Sequence, residues 1–388
     1  MLARLVRWGR WMIVVCGLLS AGLVIPAAPS DAATSYDVVV TSVTSKPPPT
    51  PTPDCRGRAT VKVGATRGGL TGFANGYRYG QLNATERTSY MDAFAATGAK
   101  WFRMNMEDWN LAEFQDVVAK AKARGFCVIG NINANTSTGP WADPPDHQAW
   151  ANEVATQFVT RLQADVHVWE IWNEPNLAGF WPSTSDSYAD LLHRTYRAIH
   201  AVDSGAVVLG GGLAPAGGAS ESANAVNFWT RVYDWNKAQG RRGSAQLFDG
   251  LAHHPVLYPE DPLAPENATA DWNAFHQTLL IHQLMADPAY GGPTKDGAKR
   301  IWATEAGFPT GCGLTGCITL ADAATRVPAQ LDKWIDDWGS FTGPFLFHQL
   351  QEQPGVTDIE HYFGFIRTNW SPKNPMYSAF TTYAARTN

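Results

Sequence analysis

The sequence predicts an α/β protein built on a single (β/α)8 barrel. Three observations carry this. Short apolar stretches alternate with longer helical patterns along most of the chain, and such alternation builds βα units around a parallel sheet. The alternation runs unbroken, with no second linker, over roughly 330 residues, the size of a barrel with inserted loops. No Walker loop occurs, and the single GxGxxG, at residues 311–316, follows the seventh expected strand rather than the first, which disfavours the open doubly wound sheet as the runner-up.

The first 32 of the 388 residues read as an export signal. Arg4, Arg7 and Arg10 precede the apolar run Trp11–Ile25, and Ser30-Asp31-Ala32 offers small residues for cleavage. The run is short for a membrane span, so no membrane association is expected after cleavage, and the mature chain is expected outside the cell. Residues 33–54, with Lys46-Pro47-Pro48-Pro49-Thr50-Pro51-Thr52-Pro53, form an extended linker. The catalytic domain is expected over 55–388.

Eight strands are expected at Thr60–Gly64, Trp101–Asn105, Cys127–Ile132, Val166–Trp172, Val207–Gly211, Gly250–His254, Arg300–Thr304 and Pro344–Gln349. The helices between them are expected at Thr85–Thr97, Leu111–Arg124, Asp146–Leu162, Ser187–Val202, Ala223–Gln239, Asp271–Ala286 and Ala321–Trp338, with Pro375–Ala385 closing the set.

Composition is that of a globular protein, 45% hydrophobic and 17% charged. The formal charge is −5, and losing three Arg and one Asp with the signal makes it −7. No basic stripe invites nucleic acid. The 16 Trp, 12 Tyr and 17 Phe suit sugar-ring faces, but fill cores equally well. Cys55, Cys127, Cys312 and Cys317 remain after export, an even count that suggests disulfides. Cys312 and Cys317 flank a short Gly-rich loop and are expected to pair, which leaves Cys55 for Cys127. A metal site is the alternative, without CxxC or clustered His to support it. No metal or cofactor is expected.

The strongest local signal is Trp169-Glu170-Ile171-Trp172-Asn173-Glu174-Pro175-Asn176. An apolar strand ends in an amide and a carboxylate, and Pro175, lacking an N–H, halts the ladder. A second apolar strand delivers Glu305 in Ile301-Trp302-Ala303-Thr304-Glu305-Ala306-Gly307-Phe308. These are strands four and seven, on opposite sides of the barrel mouth, where the active face lies. Glycoside cleavage needs one carboxyl to protonate the departing oxygen and another to attack, or to activate water. About 5–5.5 Å between them means retention, and about 6.5–9.5 Å inversion. Glu170 alternates with Trp172 and Glu174 along one strand, so Glu170 is expected to point into the barrel, in a structural salt bridge or hydrogen-bond network. His253 and His254, as strand neighbours, face opposite ways and do not share a metal.

These two motifs resemble glycoside hydrolase clan A, in the manner of families 39 and 5. The resemblance extends to Lys100-Trp101-Phe102-Arg103, Pro140-Trp141, Gly210-Gly211-Gly212-Leu213-Ala214 and Phe248-Asp249-Gly250-Leu251-Ala252-His253-His254-Pro255. It ends with Phe363-Gly364-Phe365 and Pro372-Lys373-Asn374-Pro375. It implies Glu174 as acid/base, Glu305 as nucleophile, Asn173 on the sugar 2-hydroxyl, Arg103 beside Glu305, and His254 in the sugar site. Two departures bear on the substrate. Val256 stands where similar proteins often have Tyr, with Tyr258 two residues on as a candidate for that place. His348 falls in the strand-eight run that often supplies a Trp or Tyr platform. Trp141, Trp181 and Trp109 fall in expected loops at the active face, either as sugar platforms or as packing for their own loops. The implied protein is a secreted, retaining, monomeric hydrolase of a β-linked glycan. A transglycosylase and a non-catalytic carbohydrate-binding or wall-associated protein on a degenerate barrel are the alternatives. No GxSxG elbow supports an acyl hydrolase.

Overall fold

The computed structural model describes residues 55–56, 66–74, 79–106, 111–133, 142–215, 224–353 and 358–387. Eight parallel strands close into a barrel in chain order: β1 Thr71–Ala74, β2 Trp101–Met106, β3 Cys127–Ile132, β4 Val168–Asn173, β5 Val207–Leu213, β6 Gly250–His253, β7 Arg300–Ala306 and β8 Thr342–His348. Closure sets Thr71 beside Phe345 and Ala74 beside His348. The principal helices are α1 Ala84–Ala96, α2 Leu111–Ala123, α3 His147–Val154, α4 Ser185–Val202, α5 Ala225–Ala238, α6 Ala274–Ala286, α7 Leu320–Asp332 and α8 Met376–Ala384.

The expected barrel is therefore present, with one strand misplaced. Thr60–Gly64 lies outside the described residues, and the first strand is β1. Its sequence, Thr71-Gly72-Phe73-Ala74, is short and carries a glycine, which weakens any strand signal. The glycine has a packing reason: a Cβ on Gly72 would run into the Trp101 carbonyl. The long helices expected at Asp146–Leu162 and Ala321–Trp338 both widen part-way, into π turns at Ala155–Val159 and Lys333–Asp337.

Side chains start the helices where the sequence offers caps. Asn83 Oδ1 accepts from the Thr85 and Glu86 amides at 3.0 Å, and Glu86 Oε2 accepts from the Asn83 amide at 2.9 Å. This reciprocal box satisfies donors the first turn leaves free. Asp146, Thr184, Asn224, Asn273 and Thr319 cap five further helices.

Inside the barrel, Trp101 and Trp302 meet edge to face at 5.1 Å, with Ile129, Val168, Leu209, Ala252 and Leu346 around them. This plug is a packed core rather than a pore. Cys55 joins Cys127, at the start of β3, with Cα atoms 5.1 Å apart, and Cys312 joins Cys317 at 6.1 Å. Outward-facing residues fill the helix layer. There Trp169 lies over Phe114, Trp334 is buried, and Trp338 is partly buried against Phe275.

The Cys55–Cys127 bridge spans 72 residues, and closing such a loop stabilises by about 4 kcal/mol in the chain-entropy description. A Cys55→Ser/Cys127→Ser double variant is expected to lose about that much in urea unfolding. An unchanged midpoint would show the bridge adds nothing.

Candidate active site

Six strands contribute polar groups at the carboxyl end of the barrel. Their organiser is Arg103 on β2, buried to 1% exposure. Its Nε donates to Glu170 Oε2 at 2.5 Å, and Nη2 donates to Glu170 Oε1 at 3.1 Å and Asn173 Oδ1 at 2.8 Å. Nη1 donates to Glu305 Oε1 at 2.5 Å. One planar fork thus ties β2 to β4 and β7. Glu170 is fully buried and also accepts from the Gly212 amide at 2.9 Å and the Thr304 hydroxyl at 3.2 Å. Its charge is paired and its lone pairs are occupied, as burial requires.

Glu170 and Asn173 both reach Arg103 although three residues apart, which a regular strand would place on opposite faces. The backbone supplies the reason. Trp172 has φ +74° and Glu174 φ +46°, left-handed values that cost about 1–3 kcal/mol each away from glycine. Trp172 therefore does not share the inner face with Glu170, as simple alternation implies. It turns outward onto Trp150 and Trp181 and donates from Nε1 to the Phe180 carbonyl. Asn131 Nδ2 holds the Trp172 carbonyl at 2.8 Å, and the Glu174 amide donates to Gly212 O at 2.9 Å. Asn176 fastens the turn to Ala214 from both sides.

The Gly210-Gly211-Gly212 run makes room for these contacts. Cβ atoms would strike Trp229 at 210, the Ile171 and Trp172 carbonyls at 211, and His254 at 212. His254, just past β6 and 1% exposed, sits at 3.0 Å from Glu174 Oε1 through Nδ1. Burial pulls its pKa down, but the Glu305 charge and the Glu174 hydrogen bond outweigh this and raise it. His253 faces the other way and donates from Nε2 to the Ala274 carbonyl. Burial lowers its pKa to about 4.

Glu305, with 18% of its side chain exposed, has its second oxygen 3.5 Å from His348 Nδ1. Burial pushes its pKa up. The charges of His254, Arg103 and His348, with the Arg103 hydrogen bond, bring it down to about 2. The residue is a carboxylate at neutral pH.

A third carboxyl, Glu360, enters from the turn Ile359–Phe363, 3.9 Å from His348 Nε2. Burial and the Glu305 and Glu174 charges raise its pKa. The Tyr258 hydroxyl is hydrogen-bonded to Glu360 and its ring meets Phe363 at 5.4 Å. Lys373 secures this wall from behind, with Nζ on Glu352 Oε1 at 2.7 Å and on the Thr310 and Tyr362 carbonyls.

Of the residues expected at the site, Arg103, Asn173, Glu174, His254, Glu305 and His348 are drawn into one network, and Tyr258 joins it through Glu360. Trp141 and Trp109 lie outside the described residues. Trp181 is no platform: it is 2% exposed, packs edge-on against Trp172, and donates from Nε1 to the Thr184 carbonyl. Sequence reasoning missed Glu360, Thr304 and Asn131. No local pattern marks Glu360, since it sits in a turn rather than at a strand end.

Solved structures that share this fold include glycoside hydrolases. The chain is similar to a family 39 glycoside hydrolase from the gut symbiont Bacteroides cellulosilyticus WH2, with TM-score 0.60 and 19% identity, covering 81% of this chain and 63% of that one. It is similar to a monomeric beta-xylosidase from Caulobacter crescentus CB15, with TM-score 0.60 and 16% identity, covering 85% and 70%. A GH5_18 structure from Streptomyces cattleya in complex with GlcNAc gives TM-score 0.59 and 14% identity, covering 83% and 80%. No protein-family model and no curated protein matches the sequence. These likenesses establish the barrel as one that glycoside hydrolases of families 39 and 5 also use.

Two predictions follow from the geometry. Arg103→Gln removes the cation from buried Glu170 and is expected to cost about 3–5 kcal/mol of stability, read by urea unfolding. For Glu305, the folded pKa of about 2 lies below the ordinary 4.5. Its ionised form therefore stabilises the fold fully above about pH 4.5, and this is lost as pH falls through about 2, a contribution on the order of 3 kcal/mol. The stability gap between wild type and Glu305→Gln should narrow from pH 5.5 to pH 2; a constant gap would contradict the assignment.

Proposed function

We propose that this chain is a retaining glycoside hydrolase that works by double displacement. The observation that carries the reading is the setting of Glu305 and its link to Glu174. Glu305 is held as an anion by Arg103, as a nucleophile requires. Glu174 lies beside Asn173 and bonds His254, whose charge also acts on Glu305. The shared fold of family 39 and family 5 hydrolases supports it.

Glu174 protonates the departing glycosidic oxygen while Glu305 attacks the anomeric carbon, forming a glycosyl ester. Glu174, now a carboxylate, takes a proton from water, which attacks the same carbon and releases the sugar and Glu305. Asn173 Oδ1 accepts from Arg103, so its amide N–H groups are the ones that can donate to a sugar 2-hydroxyl. The substrate on this reading is an extracellular β-linked glycan or glycoside. The N-terminal signal and the two disulfides support export to an oxidising compartment.

Kinetics on aryl glycosides test the roles. Glu174→Gln is expected to slow turnover of substrates with poor leaving groups on the order of 10²–10⁴-fold, and far less for good ones. Glu305→Gln should abolish turnover of both. Proton NMR of the first-formed product should show retained anomeric configuration; an inverted product removes Glu305 as nucleophile.

A further inference from the structure

A cavity of about 590 Å³ opens at the other end of the molecule. Its walls are the turn after α5, Gly240–Gly243, and the segment Pro288–Asp296 between α6 and β7. Both connections feed their strands from the amino end, so the cavity lies on the face away from Glu174 and Glu305. That face of a barrel ordinarily serves stability alone.

We propose that this cavity is a second, non-catalytic binding site for an anionic saccharide, a uronate- or sulfate-bearing unit. Lys237, Arg241, Arg242 and Lys295 line it, against one carboxylate, Asp296. Asp296 is engaged elsewhere, with Lys299 Nζ 3.4 Å from its Oδ1. It is 4% exposed, and accepts from the Ser244 amide and hydroxyl at 2.7 Å and from the Tyr233 hydroxyl at 3.1 Å. It is therefore structural floor, and Gly243 and Gly291 press so closely on it that a Cβ at either would collide. Four cations thus gather in one concavity of a chain whose formal charge is −5, a local field opposite in sign to the whole.

The cations are partly preorganised. Arg241 is fixed by its Nε on Asn236 Oδ1 at 2.5 Å and by its guanidinium 5.1 Å from the Trp235 ring centre. Holding the fork in advance lowers the ordering cost of binding. Size and an aromatic wall point to a sugar rather than a bare anion. A lone phosphate would leave most of the volume to water, whereas 590 Å³ sits within the range of small-ligand pockets, about 300–1,000 Å³. Half-buried Tyr290, braced at 5.6 Å by Tyr233, offers an apolar ring face. Asp234 and Asp287 act on Tyr290 from outside the lining and would repel an anionic group placed toward them. A glycan held here leaves the opposite, catalytic face open.

Calorimetric titration tests this with digalacturonate and a sulfated disaccharide as probes, and cellobiose and inorganic phosphate as controls. At least one anionic disaccharide is expected to bind, more weakly as salt rises from about 50 to 200 mM. The Lys237→Gln/Arg242→Gln/Lys295→Gln variant changes only exposed side chains and should keep the wild-type Tm while losing about tenfold in affinity. The proposal is overturned if neither anionic sugar binds, or if the variant binds them undiminished. It is equally overturned if cellobiose binds as well, or if phosphate alone binds as tightly. None of these outcomes depends on the activity of Glu174 or Glu305.

Discussion

Everything at the mouth of this barrel is arranged around one buried guanidinium. Arg103 contacts Glu170, Asn173 and Glu305, and no solvent shares the burden, since it is 1% exposed. A cation placed so deep is tolerated only because two carboxylates meet it with good geometry. The second carboxylate is then anchored by the same group that keeps it charged. The fold and the candidate site rest on one residue: the fork that ties β2 to β4 also ties β2 to β7, and so fixes Glu305 relative to Asn173 and Glu174.

Local backbone strain at the end of β4 serves the same arrangement. Positive φ at Trp172 and Glu174 turns a tryptophan outward and an amide inward within two residues. The cost is borne by a surrounding frame: the Asn131 side chain, the Gly212 carbonyl and the Asn176–Ala214 pair. The glycine run on β5 belongs to that frame, because a methyl group at any of its three positions would meet a neighbour.

Much of this was legible in the sequence. Seven of the eight strands fall where apolar stretches were read, because buried parallel strands write themselves as continuous apolar runs. β1 did not, since its four residues include a glycine required by Trp101. Strand ends showed Asn173, Glu174 and Glu305, because polar residues closing apolar runs are conspicuous, whereas Arg103, His254 and His348 were marked by the resemblance to clan A. Glu360 lay hidden in a turn, where an acidic residue is commonplace. The inward turn of Asn173 beside an outward Trp172 was also invisible, since simple alternation carries no information about a left-handed φ. Trp181 misled because a tryptophan in a loop looks alike whether it is buried or displayed.

The imidazole of His254 has a consequence for any measurement of acidity at this centre. It bonds one glutamate and carries charge that acts on the other, while His348 stands between Glu305 and Glu360. The ionisation of Glu305 is therefore tied to that of its neighbours. A bell-shaped rate profile would describe the whole constellation, with apparent constants belonging to no single side chain.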